Sequence, residues 1–214
     1  MTATSKRSEI RRLPERGTYD RSVIDAILDE ALICHVAFTD DQGRPVVIPT
    51  IHARVGDVLY LHGSPASRML RGIRNQQVSV AATLLDGLVL AKAHMHHSMN
   101  YRSVVAFGTA RAVTDPDEKA VAFRAIVEHL VEGRWEGARK PNDQESKATS
   151  VVAVDIEEAS AKQRSGSPGD DEEDLALPHW AGVIPVALQA GPPVPESDAP
   201  LPDHVANWDP SPHA

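Results

Sequence analysis

Apolar segments of strand length, separated by tight turns, run through most of the chain between residues 32 and 156. Asp40-Asp41-Gln42-Gly43 is typical turn sequence, and Asp86-Gly87 is the pair that a two-residue hairpin prefers. Strands joined by such short turns pair antiparallel, so the pattern favours an antiparallel barrel over a parallel, doubly wound sheet. We predict strands at 32–39, 45–54, 57–62, 78–85, 88–97, 101–113 and 149–156.

Three helices are predicted beside these strands. Asp20 is placed to cap a helix whose apolar residues recur at helical spacing up to about Ala31. A short helix covers residues 65–74, and Asp115-Pro116 opens a longer one with an apolar stripe. The predicted fold class is therefore mainly β with appended helices.

The composition divides the chain into three parts. Residues 1–19 contain a basic cluster and are predicted to be a solvated N-terminal arm, and residues 20–159 carry the strands. From Ser160 onward the sequence holds ten of the 16 prolines and the acidic run 170–174, which is typical of a tail. Within residues 160–214 the apolar island 180–185 is expected to dock as a short strand or lid.

Charge and hydropathy exclude several classes of protein. The formal net charge of −8 disfavours nucleic acid as a partner. Cys34, the single cysteine, lies in an apolar run and reads as a packed side chain. We expect a cytoplasmic protein without a membrane partner, because no stretch approaches the roughly 20 apolar residues of a membrane span and the N-terminus lacks a signal-peptide segment.

The run from Leu61 to Arg68 leads from an apolar strand straight into a helix start. Ser64 is the predicted N-cap and Pro65 the first helical residue, so the free amides of the first turn favour an anion. Ser67 and Arg68 add a hydroxyl and a guanidinium suited to phosphate oxygens. An ordinary capped helix start is the alternative interpretation.

Three further polar features could line a site. Alternation along 88–97 places His94 and His96 on one strand face, but no cysteine or carboxylate completes a ligand set, so we predict no metal. The block 97–103 lies between two apolar strands, where it is either a binding loop or a hydrophilic turn. Pro49 interrupts a strand and removes one hydrogen-bond donor from it. The break is either an irregular strand edge or a place where free backbone groups contact a flat heteroaromatic ring.

Several motifs in order resemble one known family: CHVAF (34–38), LYLHGSPASRML (59–70), DGLVLAKAHMHHSMNYRSVVAFGTA (86–110), SAKQRSG (160–166) and WAGVIP (180–185). The chain resembles the pyridoxamine 5′-phosphate oxidase-like split-barrel flavoproteins, and most closely their flavin-nucleotide-binding, nitroimidazole-reductase-like branch. The resemblance implies a six-stranded antiparallel split β-barrel, a homodimer, and one FMN in each of two clefts at the subunit interface.

The matched positions imply cofactor-binding residues. Ser67 and Arg68 correspond to the phosphate ligands, Pro49, Thr50 and Ile51 to the isoalloxazine edge, and Trp180 to a cover over the cleft. His62, Gly63 and Ser64 would shape the phosphate turn at the cofactor, and the residues expected to reach the cofactor or the dimer seam are Asn100, Tyr101 and Arg102. If a proton must be relayed, the candidate catalytic residues are His62, His94 and Tyr101.

The expected function is an FMN-dependent oxidoreductase acting on a small electron-poor molecule. True pyridoxamine phosphate oxidation is not expected, because the acidic tail lacks the basic side chains that grip the substrate phosphate in those enzymes. The alternatives are a flavin-binding store or sensor without turnover, and a deazaflavin- or haem-binding protein of the same fold. The three histidines 94, 96 and 97 keep the haem alternative open.

Overall fold

The structure is a computed structural model that describes residues 5–210 of the chain. Within them ten strands join into one antiparallel sheet, which confirms the mainly β fold class. The strands are β1 (Gly17–Thr18), β2 (Cys34–Thr39), β3 (Pro45–Thr50), β4 (Ala53–Val55), β5 (Val58–Gly63), β6 (Gln77–Leu90), β7 (Ser98–Ala112), β8 (Ser150–Asp155), β9 (Glu158–Arg164) and β10 (Gly182–Pro185). Their order is β3-β2-β6-β7-β8-β5-β4, with β10 beside β6, β9 beside β7 and β1 beside β9.

The helices begin where capping side chains satisfy their first amides. Asp20 accepts a hydrogen bond from Ser22 N, as predicted, and Asp115 accepts two, from Asp117 N and Glu118 N. The helices are α1 (Arg21–Glu30), α2 (Arg68–Gly72), α3 (Pro116–Leu130), α4 (Asp143–Ala148) and α5 (Asp203–Ala206). Not one helix within residues 5–210 has the length and apolar character needed to cross a membrane.

The sheet bends back on itself at a break between β3 and β4. The predicted strand 45–54 is interrupted by Ile51 and His52, because the fully buried His52 side chain turns inward and its Nε2 lies 2.9 Å from the carbonyl oxygen of Leu28 in α1. β3 and β4 are the two ends of the strand order, and among the described residues no ladder joins them. The sheet is therefore curved but not closed, and the strand order does not show the expected six-stranded barrel.

β6 and β7 form one long hairpin, which corrects the predicted turn at Asp86-Gly87. β6 continues through this pair with a register shift between Leu85 and Gly87, so that Leu85 faces Tyr101 and Gly87 faces Asn100. Pairing with β7 on both sides of the pair converts the turn sequence into a bulge. The chain reverses instead at the 3₁₀ turn His94–His96, so these histidines do not lie on a strand face.

The core has two layers. α1 and α2 pack against the inner face of the sheet, where Ile27, Leu28 and Leu70 are buried with Cys34. Burial raises the pKa of the Cys34 thiol to about 12, which agrees with a packed side chain. A second cluster lies between the β4-β5-β8 edge and α3, around Tyr60 and Ile126.

The two terminal segments contribute strands to the sheet. β1 pairs with β9, and Arg7 bonds Glu158 at 2.8 Å, so this part of the predicted solvated arm is docked. β9 pairs with β7 as far as Arg164, and Ala161 is fully buried, so residues 160–164 belong to the sheet and the tail-like composition begins after them. The island 180–185 does dock as predicted, with β10 against β6.

Candidate functional site

A cleft of about 500 Å³ lies where α1, the ends of β2 and β3, the bulge of β6 and the tail after β10 meet. Its walls are mainly apolar, and its volume falls within the roughly 300–1,000 Å³ typical of small-molecule sites. We call it the sheet cleft. It brings together Pro49 and Arg102 from the predicted site residues and adds His35, Glu30 and Asp86.

Arg102 is fixed at the floor of the sheet cleft by two carboxylates. Its Nη1 lies 2.5 Å from Glu30 Oε2, and its Nη2 lies 2.8 Å from Asp86 Oδ1. The two acids raise the pKa of Arg102, and the hydrogen bonds that Arg102 donates to Glu30 have the largest effect. The guanidinium thus has two carboxylate partners at the wall of the sheet cleft.

The tail covers the sheet cleft with a segment that follows β10. Val186 N donates to Asp86 O at 3.1 Å, and Val186, Ala187 and Leu188 line the cleft. The predicted cover, Trp180, is 65% exposed and does not line this cleft. Its ring packs on Gly182 instead, where an added Cβ would lie 2.8 Å from it.

The predicted phosphate turn has the expected strand and helix but a different cap. Ser67, not Ser64, caps α2: its Oγ accepts a hydrogen bond from Leu70 N at 3.3 Å, whereas Ser64 Oγ accepts one from Ala66 N. The turn needs three residues between β5 and the cap, so Pro65 precedes the helix rather than starting it. Gly63 sits close to α2, since an added Cβ would lie 3.2 Å from Leu70 Cδ1.

Arg68 stands at the start of α2, anchored by one buried carboxylate. Its Nη2 lies 2.9 Å from Asp40 Oδ2, while its side chain stays 67% exposed. Asp40 also bonds the side chain and backbone of Arg44, and these bonds lower the pKa of Asp40 to about 2. Arg68 and the nearby Arg71 line a second cavity of about 490 Å³ together with Asp40 and Asp41, so two guanidiniums and two carboxylates face it.

His62 lies apart from the sheet cleft, in a third cavity of about 310 Å³ between β5, α3 and residues 135–149. The cavity is lined by Phe123, Ile126, Val127 and Trp135, with Arg139 beside them. We call it the His62 cavity. Burial lowers the pKa of His62, so its imidazole is neutral at pH 7.

The other predicted residues lie near the ends of β3 and β7. Thr50 is half-buried, and Ile51 packs on the second cluster. Asn100 is buried and bonds Arg164 and the carbonyl oxygen of Gly166, so it joins the hairpin to the segment after β9. Tyr101 is half-buried opposite Leu85.

The histidine turn binds the acidic tail. Asp170 accepts hydrogen bonds from Lys92 N and Ala93 N, and Lys92 Nζ donates to the carbonyl oxygen of Leu175 at 2.7 Å. His97 Nδ1 accepts from Ala91 N at 3.2 Å. In the part of the chain that is described, no group of three histidine, cysteine or carboxylate side chains is arranged to hold a metal ion.

Comparison with known proteins places the chain in a family. A family model described as pyridoxamine 5′-phosphate oxidase matches residues 20–163. The chain belongs to this family. Among curated protein sequences no match was found.

Two solved members are similar along nearly their whole length. The flavocytochrome Anf3 from Azotobacter vinelandii is 38% identical, with a TM-score of 0.90 over 98% of this chain and 99% of that one. A FAD- and haem-binding protein from Mycobacterium smegmatis is 35% identical, with a TM-score of 0.83 over 89% of this chain and 95% of that one. A structure from Bacteroides thetaiotaomicron, described as a 5-nitroimidazole antibiotic resistance protein, is 28% identical to this chain. Its TM-score is 0.58, over 68% of this chain and 85% of that one.

The sequence analysis did not predict three cavity residues that the fold brings in from distant segments of this chain. Glu30 and His35 reach the sheet cleft from α1 and β2, and Trp135 reaches the His62 cavity from the segment after α3. Glu30 carried no signal, because an acid in the last turn of a helix is unremarkable in sequence. Trp135, one of three tryptophans, stands in a polar stretch, which was a usable signal.

Proposed function

We propose that this chain is a flavin- and haem-binding redox protein. The likeness that carries the proposal is the one to the flavocytochrome, which extends over 98% of this chain at 38% identity. The FAD- and haem-binding relative supports the same pair of cofactors. The structure offers separate cavities for two groups, because the sheet cleft and the His62 cavity share no lining residue.

The flavin ring is assigned to the sheet cleft at Pro49, and its phosphate to Ser67 and Arg68 at the start of α2, where Arg68 lines a neighbouring cavity. Thr50 and Ile51, which follow Pro49 in the chain, are proposed to contact the ring edge through their backbone. The cleft fits a flat ring, since its walls are mainly apolar and its volume is about 500 Å³. Arg68 fits the phosphate, because Asp40 fixes one of its nitrogens while most of the side chain stays exposed. We propose FMN as the flavin, and the FAD of the relative is the alternative.

When bound, the flavin supplies hydride and electron transfer and the haem supplies one-electron chemistry. The chain's own residues bind these groups and keep water away from them. The half-buried Tyr101 is the proposed proton carrier on β7, and His62, whose pKa is lowered by burial, is proposed to serve a group bound in the His62 cavity. His94 is less suited to this role, because it lies exposed in the hairpin turn.

A second copy of the chain is proposed to complete the flavin site. β3 lies at one end of the strand order and, among the described residues, pairs only with β2. On this edge strand the side chains of Val47 and Ile48 are 58% and 37% exposed. Ile33, beside the sheet cleft, is 54% exposed. An exposed apolar edge of this kind is stabilised by pairing with another surface, which favours a homodimer.

The proposed substrate is a small electron-poor molecule. The likeness to the nitroimidazole resistance protein supports a nitroaromatic compound as the first to test. The alternative, a store or sensor without turnover, shares the same binding residues.

The visible absorption spectrum of the purified protein, followed by acid extraction, tests the proposal. We expect both flavin and haem bands, and chromatography of the extract identifies the flavin as FMN or FAD. Chemically reduced protein is then mixed with a nitroaromatic or quinone acceptor. Rapid reoxidation supports an oxidoreductase, slow reoxidation supports a store or sensor, and a colourless protein that takes up neither cofactor contradicts the proposal.

A further inference from the structure

We propose that His35 is the proton donor of the sheet cleft and protonates an acceptor that is reduced there. This role rests on the proposed function, because it requires a flavin in the sheet cleft. It adds a catalytic residue that lies outside the set predicted from the sequence motifs.

The sheet cleft lies at a gap in the hydrogen-bond ladder along one edge of β6. β2 pairs with this edge as far as Ala82, and β10 pairs with it from Gly87 onward. The four residues between them, 83–86, all line the cleft. A ring that enters the gap therefore meets the first residues of β2, which begins at Cys34 and continues with His35.

His35 and Pro49 are direct neighbours across β2 and β3. They oppose each other in the strand register, so their side chains project from the same face of the sheet. Opposed residues of this kind have Cβ atoms about 4.5–5.5 Å apart, and both residues line the cleft. A ring bound at Pro49 therefore lies beside the His35 side chain.

The His35 imidazole has no partner in the protein. Its side chain is exposed, and across residues 5–210 no hydrogen bond or ion pair engages either ring nitrogen. Its neighbour on the other side is Ala81 of β6, which has no polar side-chain atom. Contact with water lets the ring regain a proton after each transfer, and histidine is the side chain best suited to proton exchange between about pH 5 and 8.

The other titratable side chains that line the sheet cleft are bound to one another. Arg102 pairs with Glu30 at 2.5 Å and with Asp86 at 2.8 Å. The tail contributes only apolar side chains to the cleft, at 186–188 and Pro210. Among the described residues that line the cleft, this leaves the histidine as the titratable group without a partner.

The proton carriers suggested by the sequence motifs lie elsewhere. Tyr101 on β7 does not line the sheet cleft, and His62 lines a different cavity. His35 therefore supplies a proton donor within the cleft itself.

Reduction of a quinone to its hydroquinone takes two electrons and two protons. The acceptor receives both electrons and one proton as a hydride from the reduced flavin, which is thereby oxidised. The second proton passes from the His35 imidazolium to the acceptor oxygen, so that an O–H bond forms as the ring N–H bond breaks. Neutral His35 then takes up a proton from water.

The first test locates His35 without measuring activity. Diethylpyrocarbonate modifies accessible neutral imidazoles, and peptide mass spectrometry follows the modification at each histidine. In the full-length protein freed of cofactor, His35 is expected to react, and saturating FMN should slow its reaction about tenfold or more. His179, exposed in the tail and outside the sheet cleft, is the internal control and should react equally with and without FMN.

The second test measures how fast reduced, FMN-loaded protein is reoxidised in the absence of oxygen. For His35→Gln the rate with a quinone should fall about 100-fold or more, because the proton donor is gone. The rate with ferricyanide, which accepts an electron but no proton, should stay at the wild-type value. In His35→Ala, added imidazole should restore the quinone rate, and more at pH 6 than at pH 8, because the protonated form is the donor. His179→Gln is the matched control and should keep both wild-type rates.

Circular dichroism checks that every variant is folded. If FMN does not protect His35, or if His35→Gln keeps the wild-type quinone rate, the role of His35 is wrong while the proposed flavin content stands. Equal slowing with quinone and ferricyanide also overturns the role, because it would show that His35 only positions the flavin. A wild-type protein that binds flavin but does not reduce quinones overturns the donor role and favours the store or sensor. A protein that takes up neither FMN nor FAD overturns the proposed flavin function together with the role of His35.

Discussion

His52 makes the stability of this protein depend on pH in the mildly acidic range. Its side chain is fully buried, its Nε2 lies 2.9 Å from Leu28 O, and its ring centroid lies 5.0 Å from that of His129. Burial, and after it the charge of His129, lowers the pKa of His52 from 6.5 to about 4. The folded protein therefore holds the neutral ring at pH values where the unfolded chain is already protonated.

The direction and size of the effect follow from this difference. The stabilisation that comes from keeping the His52 ring neutral is fully present above pH 6.5 and is lost as the pH falls towards about 4. One such group changes the free energy of unfolding by about 1.4 kcal/mol per pH unit, which amounts to about 2 kcal/mol at pH 5. Burial also lowers the pKa values of His129 and His62, so both add to the loss.

Urea unfolding from neutral pH down to about pH 5 measures this loss in the wild-type protein and in His52→Gln. The glutamine amide can still donate to Leu28 O but does not titrate, so the variant is expected to lose about one proton's worth of pH slope. His94→Gln, a change in the exposed hairpin turn, serves as the control and should keep the wild-type slope. Parallel stability curves for the wild type and His52→Gln would refute the reasoning.

Three further predictions address the fold and the flavin. Arg68→Ala should lower flavin affinity about 10- to 150-fold by removing a charge-assisted hydrogen bond, whereas Arg74→Ala, which does not line the cavity beside Arg68, should not; equilibrium dialysis distinguishes them, and equal losses would contradict the assignment. Gly108→Ala should destabilise the protein by about 3 kcal/mol or more, because the new Cβ would lie 1.8 Å from Asp155 O, and an unchanged melting temperature would contradict this. Deleting residues 186–214 should leave the sheet folded by circular dichroism but weaken flavin binding, since the deletion removes one wall of the sheet cleft; unchanged affinity would show that this wall is not needed.

Local sequence signals predicted the elements whose causes are local. The caps at Asp20 and Asp115, the strand before Gly63 and the docking of 180–185 were all readable, because each depends on neighbouring residues. The break at Ile51 and His52 was not, since it exists to place the imidazole against α1, more than twenty residues earlier in the chain.

Long-range pairing overrode local turn preference at Asp86-Gly87. The pair forms a bulge because β7 supplies partners on both sides of it, and Arg102 then binds the Asp86 carboxylate. The same long-range effect put residues 160–164 into a strand despite the tail-like composition that follows them. For the candidate site, the motifs named residues but could not indicate the separate cavities in which the fold places them, and the cofactor roles of those residues stay predictions.

The mass of the intact native protein tests the central claim most directly. Native mass spectrometry of the purified protein, repeated after denaturation, measures the subunit number and the mass of every bound group. The account predicts a dimer of 23.1 kDa chains carrying one flavin nucleotide and one haem per chain, both released on denaturation. A protein that binds neither group, even after incubation with FMN, FAD and haemin, would contradict the account.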